Sequence, residues 1–179
     1  MAEIKPRFEF RTWAKNFGLV EQKMRALSPC AGIRESGEIY IVSAANNENN
    51  TKVRDRLMDI KVYVQEKDGL EQWNPRMKGE FPMSAAALQA DVFPAFGVEM
   101  PTLKRAEYTL DQYLDEVIRP HSQLAAVRVF KRRFAFRRES NPEDGINMAL
   151  KRLDGSAGFH VPDDDPVVVA AGGQQRAVR

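Results

Sequence analysis

Three cations recur at every second position in the stretch TKVRDRLMDIKVYV: Lys52, Arg54 and Arg56. Successive side chains of an extended strand point to opposite faces, so these three share one face and Val53 and Leu57 share the other. The second half of the stretch repeats the sorting. Met58, Ile60, Val62 and Val64 take one face, and Asp59, Lys61 and Tyr63 take the other. The pattern gives a sheet with one apolar face and one face carrying four cations and an acid. A row of cations repels itself and costs side-chain entropy to order, so an anion lying across it is the natural counterpart. The matching chemistry is the clamping of phosphate oxygens by arginine and lysine. The bland alternative is a solvated strand face.

Other chemistry-bearing residues are scattered. PRFEFRT places Arg7, Glu9 and Arg11 on one strand face and Phe8 and Phe10 on the other, which also fits an edge strand with an exposed ion-pair ladder. LAAVRVFKRRFAFRR holds six cations between Arg128 and Arg138, including Lys131, Arg132 and Arg133, interleaved with Phe134 and Phe136. Charge with aromatic interleaving could bind nucleic acid, and it equally describes one more strand with a cationic face. Glu71 stands alone in GLEQW. Cys30 is the single cysteine, which excludes an internal disulfide and a cysteine metal cluster; with no histidine near it in sequence it reads as a bystander thiol. His121 follows a proline at a helix end and reads as a surface histidine. His160 lies near Asp163, Asp164 and Asp165, but adjacent acids converge poorly on one ion.

The elements that must position these residues follow from periodicity. The strands expected are 6–12, 38–44, two within 51–64 and one from 70, the last interrupted at Asn74-Pro75. The face pattern flips between Arg56 and Met58, which calls for a tight turn or bulge. Asn46–Asn50 and Gln65–Gly69 read as turns, and SPCAG around Cys30 as turn-like. Helices are expected over Trp13–Leu27, with Phe17, Val20, Met24 and Leu27 as its apolar stripe, and from Ser84. A third opens at Thr109 with a capping box to Gln112 and carries Leu110, Tyr113, Leu114, Val117 and Ile118 on one face. A short helix over Ile146–Leu153 and a short strand over Val167–Ala171 are expected near the end. A bend or bulge is expected at Lys131–Arg133.

Length and composition set the frame. The 179 residues suit one domain, 1–140, followed by a divergent, partly disordered tail, 141–179. Net charge is +2, too small to argue for nucleic acid alone, though residues 1–140 carry +4 and the tail −2. Nothing near the amino terminus resembles a signal peptide and no segment approaches the roughly 20 apolar residues of a membrane helix. A cytoplasmic setting with no membrane partner is the simplest expectation.

Strand after strand joined by short turns implies antiparallel pairing. The fold expected is α+β, a mainly antiparallel sheet curved toward a barrel or tunnel with about three flanking helices.

The order and spacing over about residues 3–138 resemble the CYTH superfamily, the triphosphate tunnel metalloenzymes. Those open on a strand with Glu-any-Glu-any-Lys, where this chain has Arg7, Glu9 and Arg11. A strand with Arg-any-Arg follows, matched by Arg54-Asp55-Arg56, and the next strand ends in a lysine, matched by Lys61 in MDIK. Glu71 and Arg133 are the candidates for the later glutamate and arginine. The resemblance implies binding of a triphosphate, nucleotide or organic phosphate, and metal-dependent hydrolysis of it. Glu9 and Lys61 would then be catalytic. Arg7, Arg11, Lys52, Arg54, Arg56, Lys61, Arg128 and Arg133 would hold the ligand, and Glu9 and Glu71 would bind Mg²⁺ or Mn²⁺. Arg7 stands where the family has a metal-binding glutamate and Arg11 where it has lysine. The closing strands of the family are not recognisable after Ser140. The alternative expectation is a non-enzymatic nucleic-acid-binding module using strand 128–138.

Overall fold

The computed structural model describes residues 7–14, 18–137, 147–155 and 167–173, with side chains for 8–10 and 18–136. Eight strands form one sheet: β1 (Arg7–Ala14), β2 (Cys30–Ser43), β3 (Asn49–Arg54), β4 (Leu57–Lys67), β5 (Leu70–Glu80), β8 (Leu124–Arg137), β9 (Asn147–Gly155) and β10 (Val167–Gly173). The hydrogen-bonded order is β1-β10-β9-β8-β2-β3-β4-β5, and β1 also pairs with β5 over Arg7–Glu9. The described registers are antiparallel. A separate two-stranded ribbon pairs β6 (Met83–Ser84) with β7 (Glu107–Tyr108). With three helical elements the fold is α+β, as the alternating patterns imply.

The chain divides into two compact units. One comprises Met1–Ser36, Val64–Trp73 and Phe130–Arg179; the other comprises Gly37–Tyr63 and Asn74–Val129.

In the first unit, β1 pairs along one edge with β10, from Phe8 opposite Gly173 to Ala14 opposite Val167. Along the other it meets β5, with Arg7 opposite Trp73 and Glu9 opposite Glu71. Helix α1 (Gly18–Leu27) starts later than its apolar periodicity suggests, because Trp13 belongs to β1. Met24 is buried, but Leu27 is 72% exposed, so the expected stripe is only partly core. Pro29 follows the helix end, and Cys30 begins β2 instead of occupying a turn. Asn147–Gly155 is a strand, not the helix expected over 146–153. It pairs residue by residue with β10, and that long-range ladder overrides the local helical preference. Asp68 (φ 55°) and Gly69 (φ 74°) form the two-residue turn between β4 and β5; left-handed backbone at both positions matches the strand twist.

The second unit holds the described core. Ile41, Val53, Met58 and Ile60 from β2–β4 pack with Phe81, Met83, Leu88, Val92, Phe93, Phe96, Tyr108, Tyr113, Leu114, Val117 and Ile118. The helical segment α2 opens at Ser84, whose side chain accepts the Ala87 N–H, and runs through Ala85–Ala87, Leu88–Val92 and Phe93–Ala95. Segment α3 runs through Leu110–Gln112 and Tyr113–Ile118 behind the Thr109–Gln112 capping box read from sequence. Both contain a π-helical turn, which the 3.6-residue stripe does not announce. β5 continues unbroken through Asn74-Pro75. Its described pairing with β1 ends at Trp73, so the missing N–H of Pro75 interrupts none of those bonds. β8 likewise continues through Lys131–Arg133. Its half-buried positions are 127, 129 and 131, then 134 and 135 with Phe136 buried, so the alternation breaks after Lys131 although the strand does not end.

Candidate functional site

β3 lies between β2 and β4, and the two registers place three side chains in one row: Tyr40 opposite Lys52, and Lys52 opposite Asp59. One pairing step further, the same face presents Arg54 from β3, two positions from Lys52, and Glu38 from β2, two positions from Tyr40. In the other direction Asn50 faces Lys61. The opposite face carries Ile39, Ile41, Val53, Met58 and Ile60 toward the core. Period-two alternation thus delivers Lys52, Arg54 and Lys61 to one side, as their spacing implies.

Arg56 departs from the row. Asp55 (φ 51°) and Arg56 (φ 65°) form the two-residue turn joining β3 to β4. A turn ends the strand alternation, so the expected third cation leaves the face. Its guanidinium donates to the Phe81 carbonyl at 3.0 Å, while the Phe81 N–H donates to the Arg56 carbonyl at 3.0 Å. Arg56 therefore clips the turn to the end of β5. This is the flip the pattern located at 56–58.

The residue that the sequence reading missed is Glu38. Its side chain is 2% exposed although it lies on the face away from the core. Tyr40 donates its hydroxyl to Glu38 Oε2 at 2.8 Å. The Lys52 ammonium stands 3.9 Å from the same oxygen, and Arg54 Nη1 stands 3.6 Å from Oε1. A carboxylate withdrawn from water is costly unless charge and hydrogen bonds compensate it, and these three groups supply both. A Glu-any-Tyr step on a strand whose other parity is Ile39 and Ile41 was the available signal.

Lys52 also stands 4.0 Å from Asp59 Oδ2, and Arg54 Nε stands 3.9 Å from the exposed Asp55 carboxylate. All these cation–carboxylate distances exceed the N–H···O hydrogen-bond range. The ammonium and guanidinium are therefore held by charge, with donor directions still open to an acceptor that approaches closer. Asp59 Oδ1 is buried and has no hydrogen-bond partner among the described residues.

The two carboxylates expected to bind metal meet in the first unit. Glu9 on β1 and Glu71 on β5 are direct cross-strand partners. Opposite positions on an antiparallel pair hold their side chains within about 5 Å at Cβ. The Trp73 indole N–H donates to Glu71 Oε2 at 2.7 Å, fixing that carboxylate. Two carboxylates match the sparse protein ligation of Mg²⁺, which takes one or two carboxylates and completes its shell with water and phosphate oxygens. Among the described residues there is no group of three or more potential metal ligands. The side chains of Arg7 and Arg11, and the residues His160 and Asp163–Asp165, lie outside the described set.

On β8, Arg128 and Arg133 are exposed. Arg132 donates to Glu35 Oε1 at 2.5 Å. Phe136 is buried and Phe134 half-buried, leaving Phe130, 41% exposed, as the accessible ring of the basic strand. His121 is half-buried and structural: its Nε2 lies 3.0 Å from the Glu99 carbonyl, and its Nδ1 accepts the Gln123 N–H at 3.1 Å. Among the described residues no helix is long and apolar enough to cross a membrane.

No family model and no curated protein matches the sequence. Among solved structures, the chain is similar to two proteins of Pyrococcus horikoshii OT3. The PH1012 protein is 16% identical with a TM-score of 0.40, the match covering 92% of this chain and 76% of that one. The PH1819 protein is 12% identical with a TM-score of 0.44, over the same shares of the two chains.

Proposed function

We propose that this chain binds a polyphosphate-bearing anion, a triphosphate, nucleotide or organic phosphate, on the polar face of β2–β4. Lys52, Arg54 and Lys61 are the residues that would hold it. The observation that carries the reading is the pairing of Lys52 and Arg54 on one face at ion-pair distances of 3.6–4.0 Å from their carboxylates. Phosphate oxygens that come within hydrogen-bonding distance outcompete such contacts, because charge-assisted hydrogen bonds strengthen steeply on shortening. Of the CYTH resemblance, Arg54 and the lysine on the next strand, Lys61, are the part that supports the same ligand class. Arg56 is not part of the proposed clamp, since it serves the turn.

Separately, within the first unit, Glu9 and Glu71 would be the residues to hold Mg²⁺ or Mn²⁺. Such an ion would supply charge neutralisation to a phosphate bound to it. The chain's own part there is to present two carboxylates from facing strands, one of them anchored by Trp73.

Tripolyphosphate tests the binding. At a hundredfold excess over its Kd a ligand stabilises the folded chain by about 2.7 kcal/mol, which in a chain of this size raises Tm by roughly 5–10 °C. Lys52→Met with Arg54→Met is expected to abolish that shift, read by scanning calorimetry; a shift retained in the double variant removes this face from consideration. Phosphate release from tripolyphosphate, dependent on Mg²⁺ and lost in Glu9→Gln, is the separate expectation for hydrolysis. Release that is unchanged by chelator or by Glu9→Gln contradicts it.

A further inference from the structure

We infer that Glu38 is the positioning residue of the anion site, a buried carboxylate that holds Lys52 and Arg54 side by side before any ligand arrives. The inference rests on the anion-binding reading of this face and adds to it the group that preorganises the cations.

Lys52 and Arg54 are two positions apart on β3, so their stems leave the strand about 7 Å from one another. Two like charges at that separation push apart, and each side chain is among the most rotamer-rich of any residue. Left alone they would spread into solvent. Glu38 prevents this from the adjacent strand β2. Its two oxygens are divided between them, Oε1 toward Arg54 at 3.6 Å and Oε2 toward Lys52 at 3.9 Å. Lys52 is 19% exposed and Arg54 36%, with Asp59 and Asp55 as their second carboxylates. The carboxylate cannot itself swing away, because it is 2% exposed and receives the Tyr40 hydroxyl at 2.8 Å. The arrangement is a relay of fixed groups: Tyr40 orients Glu38, and Glu38 spaces the cations.

The sign of one measurement separates positioning from simple charge. Removing a negative group beside two cations raises the local positive potential, so a bystander Glu38 predicts tighter anion binding in Glu38→Gln. A positioning Glu38 predicts weaker binding, because the ligand must then order two mobile side chains itself; the loss expected is about tenfold in tripolyphosphate Kd. Tyr40→Phe, which leaves every charge in place, is expected to weaken binding in the same direction by a smaller factor. Isothermal calorimetry at constant ionic strength reads both, with the exposed Glu107→Gln as the control for net charge. Equal or tighter binding in Glu38→Gln overturns the inference.

A second measurement needs no ligand. In the wild-type chain the Arg54 Nε–H and the Lys52 ammonium are expected to give ordered side-chain NMR signals, and in Glu38→Gln their order parameters are expected to fall to those of exposed arginine and lysine. Unchanged order overturns the inference whatever the calorimetry shows. Failure of the wild-type chain to bind tripolyphosphate, with the loss of order still seen, sinks the anion-binding reading and leaves Glu38 as the organiser of the two cations.

Discussion

Tyr113 concentrates the conflict between packing and polarity in the second unit. Its ring is fully buried against Phe81, centroid to centroid 5.4 Å, and its hydroxyl has no hydrogen-bond partner among the described residues. Burial pushes its phenol well above the ordinary tyrosine value, since the ionised form has no compensation there. An unsatisfied buried hydroxyl costs about 1–3 kcal/mol. Tyr113→Phe keeps the ring and removes the orphan group, so it is expected to stabilise the chain by about 1 kcal/mol or more in urea denaturation. A loss of stability instead would mean that the hydroxyl is satisfied by an internal water. Thr51 Oγ1, buried on the core face of β3, presents the same conflict on a smaller scale.

At the scale of elements, the loop before β7 is tied to α3 by Arg105. Its guanidinium donates twice to the Glu116 carboxylate, both bonds at 2.8 Å. The hydrogen bonds from Arg105 hold the Glu116 carboxyl below its usual range, and Glu116 in turn raises Arg105. A carboxyl whose folded-state pKa is lowered contributes stability that is fully present above its unfolded value. That contribution is lost as pH falls through the lowered folded value. The pair is solvent-exposed, so the effect is small and screened by salt. Glu116→Gln is expected to flatten part of the acid-side decline of Tm and to leave the neutral-to-alkaline side parallel to wild type. A decline of unchanged steepness, measured by calorimetry at low salt, would show that the bridge has no energetic weight. Tyr108 supports the same loop from below, its hydroxyl accepting the Lys104 N–H at 2.8 Å and the Arg105 N–H at 3.1 Å.

At the scale of the whole chain, the sheet joins residues that are far apart in sequence. β1 lies between β5 and β10, with Arg11 opposite Ala170 and Glu9 opposite both Glu71 and Gly172. Pairings of that separation carry a large loop-closure cost and form late. Deleting residues 167–179 uncovers one whole edge of β1 and one of β9. The expected result is fast hydrogen exchange at the β1 amides that face β10, and association of the truncated chain through the open edge. Retained protection of those amides in a monomer would mean that β1 does not depend on this pairing. The same deletion is expected to leave protection of the Val53 and Ile60 amides close to wild type, since β2–β4 pair among themselves and pack on a core drawn from the second unit.

Local chemistry decided much of this fold. Alternation marked β1, the β3–β4 pair and β5, because a pleated strand sorts side chains without help from the rest of the chain. Asp68-Gly69 announced its turn, and Thr109–Gln112 its capping box, through bonds that span three or four residues. Lys52, Arg54 and Lys61 could be placed on one face for the same reason. What tertiary structure alone decided is which strand lies beside which. That choice made 147–155 a strand against its helical pattern, since β10 supplied partners for its backbone. It tied Arg56, in the turn that the pattern located, to Phe81 at the end of β5. It set Glu9 against Glu71 across 62 residues of chain. Above all it brought Glu38 beside Lys52 and Arg54: a buried carboxylate is tolerable only where its countercharges already stand, and those are delivered by a neighbouring strand, which no local pattern records.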